Sequence, residues 1–158
     1  MIIKNKAIVA DDWTVLRLNE QASVENVTVA TGKVIVPLKV WLAQRDVLQQ
    51  RAEIGVWLAS DERPEELKGD VQKFSVIAVD FPKFSDGRGY SIAYNLRARL
   101  GYTGELRAIG DVLRDQLFYM QRVGFDAFAP RADRKIEDVL KGLTDFFVVY
   151  QTSFDQRL

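Results

Sequence analysis

Short apolar segments alternate with longer amphipathic segments through most of the chain. The amphipathic runs Tyr90–Leu100 and Asp111–Val123 have the length of helices, and the apolar runs around them have the length of strands. This alternation is typical of βα units in a parallel sheet. It predicts an α/β fold of about four βα units, arranged as an open parallel sheet or as a half-barrel. The predicted strands are residues 54–59, 76–81, 105–109 and 125–129.

The first 36 residues have a different pattern, with several apolar runs too short for helices. Asp11-Asp12 separates two of them, and Thr31-Gly32-Lys33 separates two others. Both separators are turn-forming sequences. We therefore expect residues 1–36 to form a small antiparallel β element at the edge of the main sheet, and residues 37–158 to form the α/β body of a single domain. The runs in question are residues 7–10, 13–18, 27–30 and 34–36.

Three further helices are predicted outside the central region. Pro37 is suited to the first turn of a helix that buries a stripe of Leu38, Trp41, Leu42 and Leu48. A short helix is expected from Pro64 to about residue 74. A last helix, roughly residues 135–150, has a wide apolar stripe that fits packing across the sheet or against a partner chain, including a second copy of the chain.

The composition excludes several kinds of functional site but does not identify one. The 158 residues include 22 basic and 22 acidic side chains but no cysteine and no histidine. No basic excess points to nucleic acid, and no apolar run is long enough to cross a bilayer. The first residues do not resemble a signal peptide, so a cytoplasmic location is expected. Disulfides, Cys/His metal centres and His-dependent nucleophilic catalysis are excluded.

The candidate site lies where polar residues follow the predicted strands. Asp80 ends one strand, and the loop Asp86-Gly-Arg-Gly leads into the next helix. Arg88 and the backbone at Gly89 are suited to binding an anion at that helix start. The glycine pattern is only a fragment of a dinucleotide-binding fingerprint. The alternative is that the glycines make a turn and Arg88 pairs with Asp86.

Further charged residues follow the other predicted strands. Arg114 and Asp115 lie in the first turn after the third strand, for which Asp111 is a suitable N-cap, and Arg131 follows the fourth. These positions predict anion binding by Arg88, Gly89, Arg114, Lys83 and Arg131. Asp80, Asp86 or Asp115 would act as a base or hold Mg²⁺. No separate metal site is predicted, and any bound metal would need oxygen ligands and hence favour Mg²⁺ or Ca²⁺. An exposed surface pair is the alternative for Arg114 and Asp115.

Three motifs resemble a family of uncharacterised bacterial proteins. They are Phe81-Pro-Lys-Phe-Ser-Asp-Gly-Arg-Gly-Tyr-Ser91, Gly104-Glu-Leu-Arg-Ala-Ile-Gly-Asp-Val-Leu-Arg-Asp-Gln116 and Gly124-Phe-Asp-Ala-Phe128. Members of that family are commonly labelled oxidoreductases, and their genes often lie beside those of sulfite reductase and sulfate assimilation. The resemblance implies a cytoplasmic role near assimilatory sulfur metabolism. It supplies no catalytic residue.

Three functional hypotheses follow. The first is a binding protein or enzyme for a phosphate- or sulfate-bearing small molecule at the carboxyl ends of the strands. The second is a non-catalytic accessory protein that docks on sulfite reductase or a related pathway enzyme. The third is an oxidoreductase with a non-covalent flavin or nicotinamide, for which the glycine signature is incomplete.

Overall fold

The computed structural model describes residues 1–83, 87–141 and 143. These residues form an eight-stranded mixed sheet with the spatial order β2-β1-β8-β7-β6-β5-β4-β3. The strands are β1 Ile2–Lys4, β2 Ala7–Val9, β3 Thr14–Val15, β4 Val34–Pro37, β5 Gly55–Leu58, β6 Val76–Phe81, β7 Glu105–Gly110 and β8 Ala127–Pro130.

The strands from β3 to β8 are parallel and neighbour one another in the order of the chain. Because crossovers between parallel strands are right-handed, successive connections in one direction place their helices on the same face of the sheet. The arrangement is a half-barrel, with helices on the convex side. The half-barrel predicted as one of two alternatives is therefore confirmed, and the open sheet is not.

The N-terminal segment carries the chain from one edge of the sheet to the other. Strands β2 and β3 form opposite edges, yet only four residues lie between Val9 and Thr14. The five Cα–Cα steps from Val9 to Thr14 reach at most about 18 Å, whereas seven strand spacings in a flat sheet would require about 34 Å. The sheet must therefore curl until its edges approach each other. We call the residues that cross the open side, Ala10–Trp13, the strap.

Helices are shorter than the amphipathic runs that predict them. The α-helices are α1 Leu38–Ala43, α2 Arg45–Leu48, α3 Arg88–Tyr94 and α4 Leu117–Val123, and residues 136–141 are also helical. A π-helical turn, Asn95–Arg99, continues α3, and 3₁₀ turns occupy Pro64–Leu67, Val71–Lys73 and Arg114–Gln116. The part of the last predicted helix after residue 143 lies outside the described residues. No helix in the described ranges is long and apolar enough to cross a bilayer.

The antiparallel element at the N-terminus is smaller than predicted. Strand β1 pairs antiparallel with β2 and with β8, as expected of an edge element. Residues 27–30 form no strand, and Val34–Pro37 belongs to the parallel body as β4. The reason is that β4 is buried on both faces, so its continuous apolar sequence reflects a central parallel strand rather than a hairpin arm.

Two apolar layers pack on the two faces of the sheet. The larger one joins the convex face to the helices through residues such as Val56, Ile77 and Trp41. The smaller one lies on the concave face, where Ile35, Val76, Ala78 and Ile109 are buried. Side chains of the N-terminal segment and of β5 cover this concave layer, namely Trp13, Val15 and Trp57. The half-barrel thus fills its own interior.

Candidate functional site

A cleft of about 460 Å³ opens where the parallel strands end. We call it the rim cleft. Residues at the start of the parallel sheet (β3) and at its end (β8) line the same space, because the sheet curls. Val15 and Ile109 contribute to its apolar floor. Its charged walls include Arg17, Asp80, Asp111 and Arg131. Clefts at the carboxyl ends of parallel strands are where α/β folds bind ligands.

Asp80 contributes one charged wall of the rim cleft. It is the fifth residue of β6, in register with Ile109 on β7, so its side chain lies on the concave face. Nη2 of Arg17 donates a hydrogen bond of 3.0 Å to Asp80 Oδ1. The Arg17 side chain is 52% exposed, whereas the Asp80 side chain is 13% exposed. The carboxylate of Asp80, predicted as a candidate base, therefore lies in the cleft, and its partner Arg17 is well exposed to solvent.

The second charged wall is built on Asp111, directly after β7. Its Oδ1 accepts contacts from Nη2 of Arg131 at 3.2 Å and from Nη2 of Arg134 at 2.9 Å. Asp111 is buried, and a hydrogen bond of 2.7 Å from its backbone N–H to the oxygen of Phe81 fixes its position. Arg131 also lies 3.7 Å from the exposed Asp133. Asp111 thus holds two guanidinium groups side by side at the rim.

Trp57 provides an aromatic surface close to the charged walls of the rim cleft. Its indole N–H donates a hydrogen bond of 2.9 Å to the backbone oxygen of Leu16, which fixes the ring. The guanidinium carbon of Arg17 lies over the indole, 5.0 Å from the ring centroid. In the register of the sheet, Trp57 stands between Pro37 and Ala78. Arg17 therefore contacts both the aromatic surface and Asp80.

The described residues of the loop predicted to bind anions, Lys83, Arg88 and Gly89, do not line this cleft. Arg88 is the first residue of α3 and donates a hydrogen bond of 2.9 Å to Oγ of Ser60. Gly89 is buried against the Phe81 ring, where a Cβ atom would lie 2.5 Å from the ring. Lys83 is exposed, and Asp86 lies outside the described residues. The glycine is thus required for close packing of α3 on β6.

Arg114 and Asp115 line a separate cavity of about 460 Å³ together with Arg134 and Asp138. They belong to a 3₁₀ turn rather than to the first turn of an α-helix. Asp111 is consequently not a helix cap, because α4 begins only at Leu117. Arg134 connects the two cavities, since it pairs with Asp111 and also lines the second one.

The opposite end of the half-barrel carries a second charged network. Arg107 is only 2% exposed and donates hydrogen bonds of 2.8 Å to Glu105 Oε2 and 3.1 Å to Asp11 Oδ1. Lys4 pairs with the other oxygen of Glu105 at 2.9 Å. Because Asp11 belongs to the strap, this network ties the strap to β7. Its charges neutralise one another, which is what a buried network requires.

Sequence reasoning missed three contributors to the rim cleft. Arg17 and Trp57 lie within apolar segments that have no polar motif, and Arg134 follows Arg131 by three residues. An available signal was the two-residue spacing of Val15 and Arg17, which places both side chains on the same face of an extended segment. No group of three or more carboxylates suited to a metal ion occurs in the part of the chain that the structure describes.

Comparison with known proteins identifies a family but no activity. The family described as bacterial protein of unknown function (DUF934) matches residues 55–158, and the chain belongs to it. No curated protein sequence and no solved structure matches the chain. The matched region contains β5 to β8, whereas residues 1–54 add β1, which pairs with β8, and β4, which pairs with β5. The rim cleft combines both parts, because Arg17 precedes the matched region.

Proposed function

We propose that this member of the DUF934 family binds a small organic anion, bearing phosphate or sulfate, in the rim cleft. The observation that carries the proposal is the shared position of Arg17 and Arg131. Both line the same cleft, and their side chains are 52% and 48% exposed. Guanidinium groups bind phosphate and sulfate through paired N–H donors, and these two face a cleft of ligand size.

The charge around Asp111 supports this proposal. One carboxylate oxygen serves two guanidinium groups, Arg131 and Arg134. A single negative charge cannot neutralise two positive charges, and Asp133 at 3.7 Å is exposed and contributes little. Around Asp111, two guanidinium groups thus share one buried carboxylate, whereas Arg17 and Asp80 pair one to one on the other wall. A bound anion would accept hydrogen bonds from these guanidinium groups, and Asp111 holds Arg131 and Arg134 in place when no anion is bound.

The size and floor of the cleft indicate an anion with an organic body. A volume of about 460 Å³ is far larger than a bare tetrahedral ion requires, since a water molecule occupies about 30 Å³. The floor is apolar at Val15, Ile109 and Ala129. An ester of phosphoric or sulfuric acid would place its anionic group against the arginines and its carbon skeleton on this floor. The resemblance to proteins encoded near sulfate-assimilation genes agrees with a ligand of this kind.

Asp80 is the residue that would act on such a ligand. It lies within the cleft, and its hydrogen bond from Arg17 orients the carboxylate. When Arg17 turns toward a bound anion, the carboxylate becomes available as a proton acceptor for a ligand hydroxyl. Asp115 does not share this position, because it lines the separate cavity beside Arg114.

Calorimetric titration with ribose 5-phosphate tests the proposal. The wild-type protein should bind it, and Arg131→Gln and Arg17→Gln should each weaken binding about 10-fold or more, as expected when a charge-assisted hydrogen bond is lost. Arg99→Gln is the matched control, because Arg99 is exposed at the C-terminal end of the helical segment that begins with α3, away from the rim. Equal affinity in all four proteins would contradict the proposal.

A further inference from the structure

Arg17 connects the aromatic surface of Trp57 with the charged wall of the rim cleft. Its guanidinium lies over the indole at 5.0 Å and donates to Asp80 at 3.0 Å. Planar guanidinium groups stack on indole faces because the ring is electron-rich there. A flat group already covers Trp57, and this group is attached to a half-exposed side chain that can leave.

Trp57 is held as a fixed platform rather than as an adaptable core side chain. The hydrogen bond from its N–H to Leu16 O satisfies the polar group of the indole and holds the ring in place. Its neighbours in register, Pro37 and Ala78, are compact, so the indole stands above the concave face at this level. The ring remains only half-buried although it stands on the concave face. A rigid indole with one face covered by a displaceable cation is suited to stacking a planar ring.

We propose that the ligand of the rim cleft is a nucleotide whose base stacks on Trp57 in the place of Arg17, while Arg17 turns to the phosphate. This inference rests on the proposed function, because it requires the anion site beside Arg131. In this exchange Arg17 replaces its contacts with the indole face and Asp80 by hydrogen bonds to the phosphate oxygens. The nucleobase takes over the indole face, and Asp80 faces the sugar hydroxyls.

The first test compares AMP with ribose 5-phosphate, which has the same phosphate and sugar but no base. Wild-type protein should bind AMP about 10-fold or more tightly than ribose 5-phosphate, in line with base–aromatic stacking. Trp57→Leu should remove that preference, and Trp57→Phe should retain part of it. Thermal unfolding followed by circular dichroism checks that each variant is folded.

The second test uses Arg17→Gln and leaves the indole intact. Because Arg17 competes with the base for Trp57, its removal should strengthen the binding of adenosine, which has no phosphate. The same variant should weaken the binding of ribose 5-phosphate, which has no base. These opposite changes are not expected from a general loss of structure, which would weaken both. Nuclear magnetic resonance titration measures the weak affinities involved.

The outcomes separate the two proposals. Equal affinity for AMP and ribose 5-phosphate, or an AMP preference that survives in Trp57→Leu, would overturn the nucleotide inference and leave the anion site standing. Weaker adenosine binding in Arg17→Gln would overturn the same inference. No binding of either phosphate compound by wild-type protein would overturn the proposed function and the nucleotide inference together.

Discussion

Gly110 and Asp80 lie against each other at the top of neighbouring strands. A Cβ atom on Gly110 would lie 2.6 Å from Asp80 Oδ1 and 2.5 Å from the backbone oxygen of Phe81. Gly110 also has a φ of +89°, a conformation that side chains with a Cβ atom rarely adopt. The absence of a side chain at Gly110 therefore makes the space in which the carboxylate of Asp80 rests.

Gly110→Ala should displace Asp80 and destabilise the rim. We expect a loss of about 2–4 kcal/mol in the free energy of unfolding, since backbone strain and a steric clash add. Urea unfolding measures this loss, and titration should show weaker ribose 5-phosphate binding. Gly32→Ala is the matched control: Gly32 has a φ of +94°, and no described residue lies within 4 Å of its Cβ position. If both variants behave alike, the contact with Asp80 has no role.

Asp11→Asn should loosen the strap. Arg107 is 2% exposed, and Asp11 accepts two hydrogen bonds from it, at 3.1 and 3.2 Å. Because a buried guanidinium would lose part of its charge compensation, we expect a loss of about 2–3 kcal/mol in unfolding free energy, measured by urea unfolding.

Asp12→Asn provides the comparison for the strap variant. Asp12 is the next residue along the strap, and its exposed carboxylate pairs with Lys33 at 2.8 Å. Solvent screens this pair, so its removal should leave the unfolding midpoint nearly unchanged. An Asp11→Asn protein as stable as the Asp12→Asn protein would mean that Arg107 does not anchor the strap.

Asp70→Asn should lower stability in a pH-dependent way. Hydrogen bonds from Arg45, at 2.7 and 2.9 Å, hold the pKa of Asp70 well below its usual range, and Lys73 adds to this effect against the opposing influence of burial. A carboxyl whose pKa is lower in the folded state stabilises the fold above its unfolded pKa of about 3.9. This contribution is lost as the pH falls toward the folded pKa.

The wild-type protein should therefore be more stable than Asp70→Asn at pH 7, by roughly 1 kcal/mol, because Arg45 and Lys73 are partly exposed. The difference should shrink as the pH falls below about 4. Urea unfolding between pH 2 and pH 7 measures it, with the exposed Asp46→Asn as control. A difference that stays constant with pH would exclude ionised Asp70 as its cause.

The central strands were accessible to sequence reasoning because each is a continuous apolar run between polar segments, whereas their spatial order is known only from the structure. Residues 76–81 and 105–110 agree with prediction to within one residue. Helix ends were less accessible. Asp111 resembles an N-cap in the sequence, but its carboxylate pairs with Arg131 and Arg134, and α4 starts six residues later. Tertiary contacts of this kind have no local sequence signal.

The candidate site was predicted only in part, since its position depends on the curl of the sheet. Asp80 and Arg131 were found from their places after strands, and the structure puts both in the rim cleft. Arg17 was missed because it is brought there by a strand from the opposite edge, across a parallel pairing between β3 and β4. A two-residue strand such as β3 leaves too short a pattern to reveal its partner.

Arginine side-chain ¹⁵N resonances, recorded during titration with ribose 5-phosphate, test the anion site most directly. The Nε signals of Arg17 and Arg131 should shift with one common saturation curve, while those of Arg99 and Arg45 stay in place. A saturating shift confined to other arginines, or no shift at any arginine, would contradict an anion site between Arg17 and Arg131.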